Sequence, residues 1–273
     1  MHRSTALPRN PLANLPRTAR TERARIAGLP LGHSMTILHV TDFHFNRRWF
    51  NWLLSTAGTH DVVVMSGDML DLSVATPARR QIEWVSDWLD EFPSPLFVCS
   101  GNHDLEWNSE SEHWAPAYWL RDVTNPHVFT DGQRVRLDGL NFLSLGVTMR
   151  PKGGEADVWV VHAAPRGTLV TKRANGADAG DPDLVYPARR AAPRLVLSGH
   201  VHTPLAWREQ RDGTLFLNPG RCAYGPVPNH IVVQTDDMSS QLFTGLGVRS
   251  HDPVFPTVQT VGAESPAALT AAG

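Results

Sequence analysis

The chain of 273 residues contains only two cysteines, Cys99 and Cys222, far apart and with no C-x-x-C spacing. That excludes a disulfide scaffold and a four-cysteine zinc site, and it fits thiols kept reduced. No apolar run approaches the roughly 20 residues that a membrane helix needs. The N-terminus also carries no apolar stretch of the kind found in secretory signals. A cytoplasmic protein with no membrane partner is the expectation. Charged side chains are sparse at 19%, against 41% hydrophobic, a balance that supports a packed core rather than a disordered chain. Internal repeats with a period of roughly 20 to 50 residues are missing too, which argues against solenoids and propellers.

A net charge of −2 conceals an uneven distribution. Residues 1–34 hold six arginines and a single acid, Glu22, a local +5 that leaves −7 on the remainder. An acidic body is a poor surface for long nucleic acid, whose affinity comes mainly from phosphate contacts. Nucleic acid is therefore not an expected partner. The same 34 residues include Pro8, Pro11, Pro16 and Pro30 without an apolar period, and they read as a flexible basic tail. One catalytic domain is expected over 35–248. A second tail, rich in Pro, Ala, Thr and Gly, is expected over 249–273.

From Met35 onward, short apolar runs alternate with longer amphipathic stretches. Ile37–Val40, Val62–Met65, Leu96–Cys99, Asn141–Leu145, Val158–Val161, Leu195–Leu197, Thr214–Leu217 and Ile231–Gln234 read as strands. The unbroken β-branched run at Val62 is that of a strand buried on both faces. Arg47–Leu54 reads as a helix. A second helix starts near Pro77 and lines up Ile82, Val85, Trp88 and Leu89. Strands alternating with helices indicate an α/β protein, and the strand-rich later half indicates mixed sheets.

The chemistry is concentrated just after these strands. Thr41-Asp42-Phe43-His44 follows the first, and Ser66-Gly67-Asp68 with Asp71 the second. Ser100-Gly101-Asn102-His103-Asp104 follows the third, and His162 and Ser198-Gly199-His200-Val201-His202 follow two later ones. Five of the thirteen histidines lie in these segments. In extended backbone, residues two apart share a face, which pairs Asp42 with His44 and His200 with His202. The glycines permit a sharp turn there. Ligands at neighbouring strand ends converge on one crevice. Asp42, His44, Asp68, Asn102, His162, His200 and His202 are too many donors for one ion and suit two. Mixed imidazole and carboxylate donors favour manganese first, then iron or zinc, over calcium. Two divalent ions against two carboxylates leave about +2, suited to a phosphate group and to its displacement by hydroxide.

The ordered set D-x-H, G-D-x-x-D, G-N-H-D, a strand-end His and G-H-x-H, from Met35 to about Gly220, resembles the calcineurin-like metallophosphoesterases. That resemblance implies a four-layer α/β/β/α sandwich. It implies one ion on Asp42, His44, Asp68 and His202, and another on Asp68, Asn102, His162 and His200, with Asp68 bridging. It further implies that His103 contacts the substrate and acts as general acid, with Asp104 orienting it. Asn218-Pro219-Gly220 resembles the family's late turn, but Arg221 stands where a serine is common. Asp71 is followed by Leu72-Ser73 and the third motif ends in Asp104, which separates this chain from the phosphoprotein phosphatase branch. His162-Ala163-Ala164-Pro165 is similar to the H-x-x-P of small bacterial phosphodiesterases. The expected activity is hydrolysis of a small phosphodiester. A phosphomonoesterase and a metal-binding scaffold without catalysis are the rival readings.

Other residues are read more plainly. Asp71 is a turn cap or a partner of a ligand. His39 and Cys99 are core residues. Arg47 and Arg48 form a solvated helix start. Arg166, Lys172 and Arg173 sit on a polar loop of the kind that rims a site, with none singled out. Trp107, Trp114, Tyr118 and Trp119 are expected to form the core of a short helical hairpin.

Overall fold

The computed structural model describes residues 34–152, 156–245 and 247–251. Most of the two expected tails, residues 1–33 and 252–273, lies outside these.

The doubly buried strands explain the architecture. In β2 (Val62–Ser66), Val62 and Val64 pack in one apolar cluster, while Val63 and Met65 pack in another. β9 (Val158–Val161) behaves likewise, with Val158 and Val160 in the first cluster and Trp159 and Val161 in a third. Each strand therefore belongs to a sheet covered on both faces, and this is why its sequence shows no polar alternation. At about 1.5–3 kcal/mol per buried Val or Leu, such strands are among the main stabilising elements.

One seven-stranded sheet contains β1 (Thr36–Val40), β2, β3 (Leu96–Cys99) and β6 (Val128–Phe129), mutually parallel. The antiparallel β13 (His230–Gln234), β14 (Ser240–Thr244) and β15 (Gly247–His251) extend it beyond β1, in the order β15-β14-β13-β1-β2-β3-β6. The six-stranded sheet runs β11 (Arg208–Arg211), β12 (Thr214–Leu217), β10 (Leu195–Leu197), β9, β8 (Leu140–Leu145), β7 (Arg134–Leu137). Its inner four strands are parallel. The sheets face each other, with Phe97 of β3 stacked on Phe142 of β8 at 4.4 Å between ring centroids.

Helices close the outer faces. In α1 (Arg47–Thr56), Trp49, Phe50 and Leu53 are buried, and α2 (Ala78–Asp90) buries Val85, Trp88 and Leu89. Both cover the larger sheet. α3 (Val185–Ala191) places Ala188 against the smaller sheet, beside Trp159 and Phe216. The layers are thus α/β/β/α, as the family resemblance implied.

Two expectations are corrected. The Trp107 segment is a β-hairpin, β4 (Glu106–Asn108) with β5 (His113–Ala115), and not a helical core. Trp107 and Trp114 pair at its surface, 55% and 50% exposed, and only Trp119 is buried. The second tail does not start at 249, because β15 pairs with β14 as far as His251.

Candidate metal centre

All the predicted segments leave the carboxyl ends of parallel strands. Asp42 and His44 follow β1, Asp68 follows β2, and Asn102, His103 and Asp104 follow β3. His162 follows β9 and His200 and His202 follow β10, so the second sheet supplies the other side. The crevice lies across both sheets.

The backbone route differs from simple alternation. Asp42, His44, Asp68 and His200 all adopt positive φ, at 54°, 43°, 54° and 68°. Asp and His tolerate this region better than most residues, and such strain gathers at functional sites. The first loop is fastened to the second by Asp42 N–H to Gly67 O (3.1 Å) and His44 N–H to Asp68 O (2.9 Å). His200 and His202 diverge to different donor groups. Of the Ser-Gly glycines, Gly67 does need the left-handed region (φ 88°). Gly199 has a different reason, because a Cβ there would collide with Thr41 Oγ1 and Asp42 Oδ2.

The donor atoms fall into two groups that share one oxygen. In the first, His44 Nε2 lies 3.1 Å from His202 Nε2, and Asp42 Oδ1 lies 3.3 Å from His202 Nε2 and 3.8 Å from His44 Nε2. In the second, His162 Nε2 lies 3.2 Å from both Asn102 Oδ1 and His200 Nδ1. Asp68 Oδ2 stands between them, 3.6 Å from His44 Nε2 and 3.3 Å from His162 Nε2. Its other oxygen accepts the His103 amide at 2.9 Å. Ligands about 2.1 Å from a common ion are separated by about 3 to 3.5 Å, the spacing of all these pairs except the two longer ones from His44 to Asp42 and Asp68.

The electrostatics fit cations. Asp42 Oδ1 is buried and receives no well-directed hydrogen bond. Burial pushes the Asp42 carboxyl up, but His202 and His44 hold it well below the usual carboxylate range. Burial opposes the His162 cation, yet the Asp68 charge outweighs it and brings the imidazole up to about 10. His200 falls to about 4, through burial and then the His162 charge. The carboxylates thus favour positive charge at this position, which a divalent ion bound to the deprotonated nitrogen would supply. The residues present fit divalent metal ions.

His103 is half-buried beside His44 and close enough to His44 and Asp68 to count among the donors. Its Nδ1 faces the Leu72 amide at 3.4 Å, which leaves Nε2 to carry the proton. Asp104 is fully buried, and its carboxylate accepts the amides of Met69, Leu70 and Gly101 at 2.8–2.9 Å. Any influence on His103 therefore passes through the backbone. Asp71 caps its own turn through Ser73.

Three supports have roles that the sequence did not disclose, although the late turn at Asn218 and Arg221 was noted. Asn218 Nδ2 donates to Gly199 O (2.9 Å) and Val201 O (3.1 Å), pinning the G-H-x-H loop. Arg221 Nε donates to Asp42 O (2.9 Å) and its amide to His202 O (2.8 Å), so it ties two donors of one group together. Asp131 accepts the Ser100 amide. The arginine in the late turn was visible as a departure from the family pattern, whereas the Asp131 contact spans 31 residues with no local signal.

Two clefts open here. One of about 580 Å³ is bordered by Asp68, Asn102, His103, Arg173, His200 and His202. A second, of about 470 Å³, is bordered by Leu205, Trp207, Pro219 and Tyr224. His202 and Thr203 line both.

The sequence profile of the calcineurin-like phosphoesterases matches residues 35–204, well over half of the chain and all five motifs from Asp42 to His202. The chain belongs to that family. This phosphoesterase is accordingly a hydrolase of phosphoric esters. Among curated proteins no sequence match was found. A solved structure from Thermus thermophilus is similar at TM-score 0.54 and 11% identity, covering 78% of this chain and 99% of that one. An archaeal phosphodiesterase matches at TM-score 0.46 and 16% identity, covering 77% and 99%. A purple acid phosphatase from yellow lupin seeds matches at TM-score 0.47 and 12% identity, covering 80% and 52%. At 11% identity the Thermus thermophilus structure speaks to the fold alone. Among the described residues, no helix of the phosphoesterase is long and apolar enough to cross a membrane.

Proposed function

We propose that this phosphoesterase hydrolyses a small phosphodiester at a centre of two divalent ions. Asp42, His44, Asp68 and His202 would hold one, and Asp68, Asn102, His162 and His200 the other. Bound there, the ions would polarise the phosphoryl oxygens and lower the pKa of a coordinated water. The chain's own part is to bind and orient the ester and to move one proton. His103, with Nδ1 set against the Leu72 amide, presents Nε2–H to the leaving alkoxide. Asp104 shapes that loop by gathering three backbone amides.

The observation that supports a diester is the pair of clefts meeting at His202. A diester carries an organic arm on each side of phosphorus and needs both spaces, whereas a monoester needs one. Manganese is the first ion to test. The two cysteines are unpaired, which supports a cytoplasmic setting.

The test compares bis-p-nitrophenyl phosphate with p-nitrophenyl phosphate on metal-stripped protein restored with manganese, with Asp68→Asn as control. The expected result is a diester preference that disappears in the variant, together with loss of bound manganese. Preference for the monoester would overturn the diester reading. No turnover with manganese, iron or zinc would overturn catalysis on such esters.

A further inference from the structure

The loop after His162 carries three cations, and the structure separates them. Arg166 borders a small cavity against α3, shared with Arg189 and Arg211. Lys172 lines neither cleft and offers its carbonyl to the Leu205 amide (2.7 Å). Arg173 alone of the three borders the cleft of the metal centre.

Its position is built rather than loose. Arg173 N–H donates to Ala177 O (2.8 Å) and Gly176 N–H to Arg173 O (2.9 Å), closing a tight turn with Gly176 at φ 83°. Below the turn, Asp178 accepts from the Gly167 amide (2.8 Å), the Gly180 amide (2.9 Å) and Thr171 Oγ1 (2.9 Å). The bond from Leu205 N–H then fastens this loop to the chain that follows His202.

The acids of the loop are engaged elsewhere. Asp178 holds the backbone as described, and Asp181 and Asp183 pair with Arg150 at 3.3 and 2.6 Å. Among the described residues, the Arg173 guanidinium makes no ion pair. Arg221, by contrast, is taken up by Asp42 O. A cation whose backbone is fixed at the rim of a centre that two divalent ions would make positive, and which has no acid of its own, is available to an anion on the ligand. On the phosphoesterase reading the scissile phosphate would face the metal donors, which leaves Arg173 for a different group.

We infer that Arg173 is a specificity residue that recognises a second anionic group, a phosphate or a carboxylate, on one arm of the ester. This rests on the phosphoesterase reading of the cleft and not on the choice between diester and monoester. A planar guanidinium suits either oxyanion through paired hydrogen bonds.

The test uses ethyl, 2-carboxyethyl and 2-phosphonoethyl p-nitrophenyl phosphate on the manganese-loaded protein, with Arg173→Ala and Arg173→Lys. Ethyl phosphate and 2-carboxyethyl phosphate, followed by phosphate release, form the monoester pair. The wild type is expected to favour the anionic arms by roughly tenfold or more in kcat/KM, mainly through KM, the effect of a charge-assisted contact. Arg173→Ala should lower the anionic esters at least about tenfold more than the ethyl ester, and Arg173→Lys should restore part of the difference. The carboxylate and phosphonate arms tell which oxyanion is preferred. Equal rates on charged and neutral arms in the wild type, or an equal fall on all arms in Arg173→Ala, would overturn the inference. If only the monoester pair is turned over, the diester proposal fails while the Arg173 comparison is still decided.

Discussion

His103 reaches the cleft with one imidazole nitrogen opposite an amide, and that asymmetry makes its role testable. His103→Ala should keep the metal content while lowering kcat by about 10²- to 10⁴-fold on esters with poor leaving groups, and less on p-nitrophenyl esters. Metal analysis beside the kinetics checks this, and loss of an ion would make His103 a ligand instead. Arg221 acts at one remove. It supports the carbonyl of Asp42, a residue at positive φ, and the turn at His202. Arg221→Ala should therefore weaken one of two manganese-binding steps by about 10- to 100-fold and leave the other nearly unchanged. Stepwise calorimetric titration separates these results from a general loss of structure. That the strand-end side chains would converge was legible as a linear series, because each strand end announces its own. What their supports do was not, even where the late turn at Asn218 was recognised. Asp131 and Asn218 act on partners distant in the chain, and neither a lone carboxylate nor a late-turn motif says which backbone groups it holds.

Strands show which parts of the fold a sequence can reveal. Val62–Met65 and Val158–Val161 were legible because burial on both faces leaves a continuous apolar run. The edge strands β7 and β11, reading Arg-Val-Arg-Leu and Arg-Glu-Gln-Arg, were not, since edge positions admit charge and blur the strand signal. The β4–β5 hairpin was misread because its tryptophans pair on the surface, where aromatic residues suggest a core. The motif glycines were placed rightly, but for an incomplete reason: Gly199 is required by crowding from the neighbouring loop rather than by its own backbone angle. Between the sheets, Leu197 of β10 is fully buried just before the G-H-x-H turn. Leu197→Ala should cost about 2–5 kcal/mol of stability, read as a lower urea midpoint with little change in slope.

For the folded chain as a unit, pH and metal are the levers. His39 is fully buried in β1 beside Ser66 Oγ (2.9 Å), and burial drives its imidazole down to about 3 from an ordinary 6.5. Between those values the unfolded chain takes up a proton that the folded chain refuses. The His39 contribution to stability should thus be intact above pH 6.5 and be lost as pH drops toward 3. Thermal melts across that range should show a shallower decline in His39→Asn, and an unchanged slope would refute the assignment. Chelation should lower Tm, since each ion present at about 100 times its Kd contributes about 2.7 kcal/mol. The donors come from the ends of both sheets, three loops from one and two from the other. Any ion shared between them is therefore a clasp across the sandwich, and the alignment of the sheets and the grip on the ions become a single linked quantity. A cavity opened deep between the sheets, out of reach of any substrate, would then be felt first as a faster escape of metal.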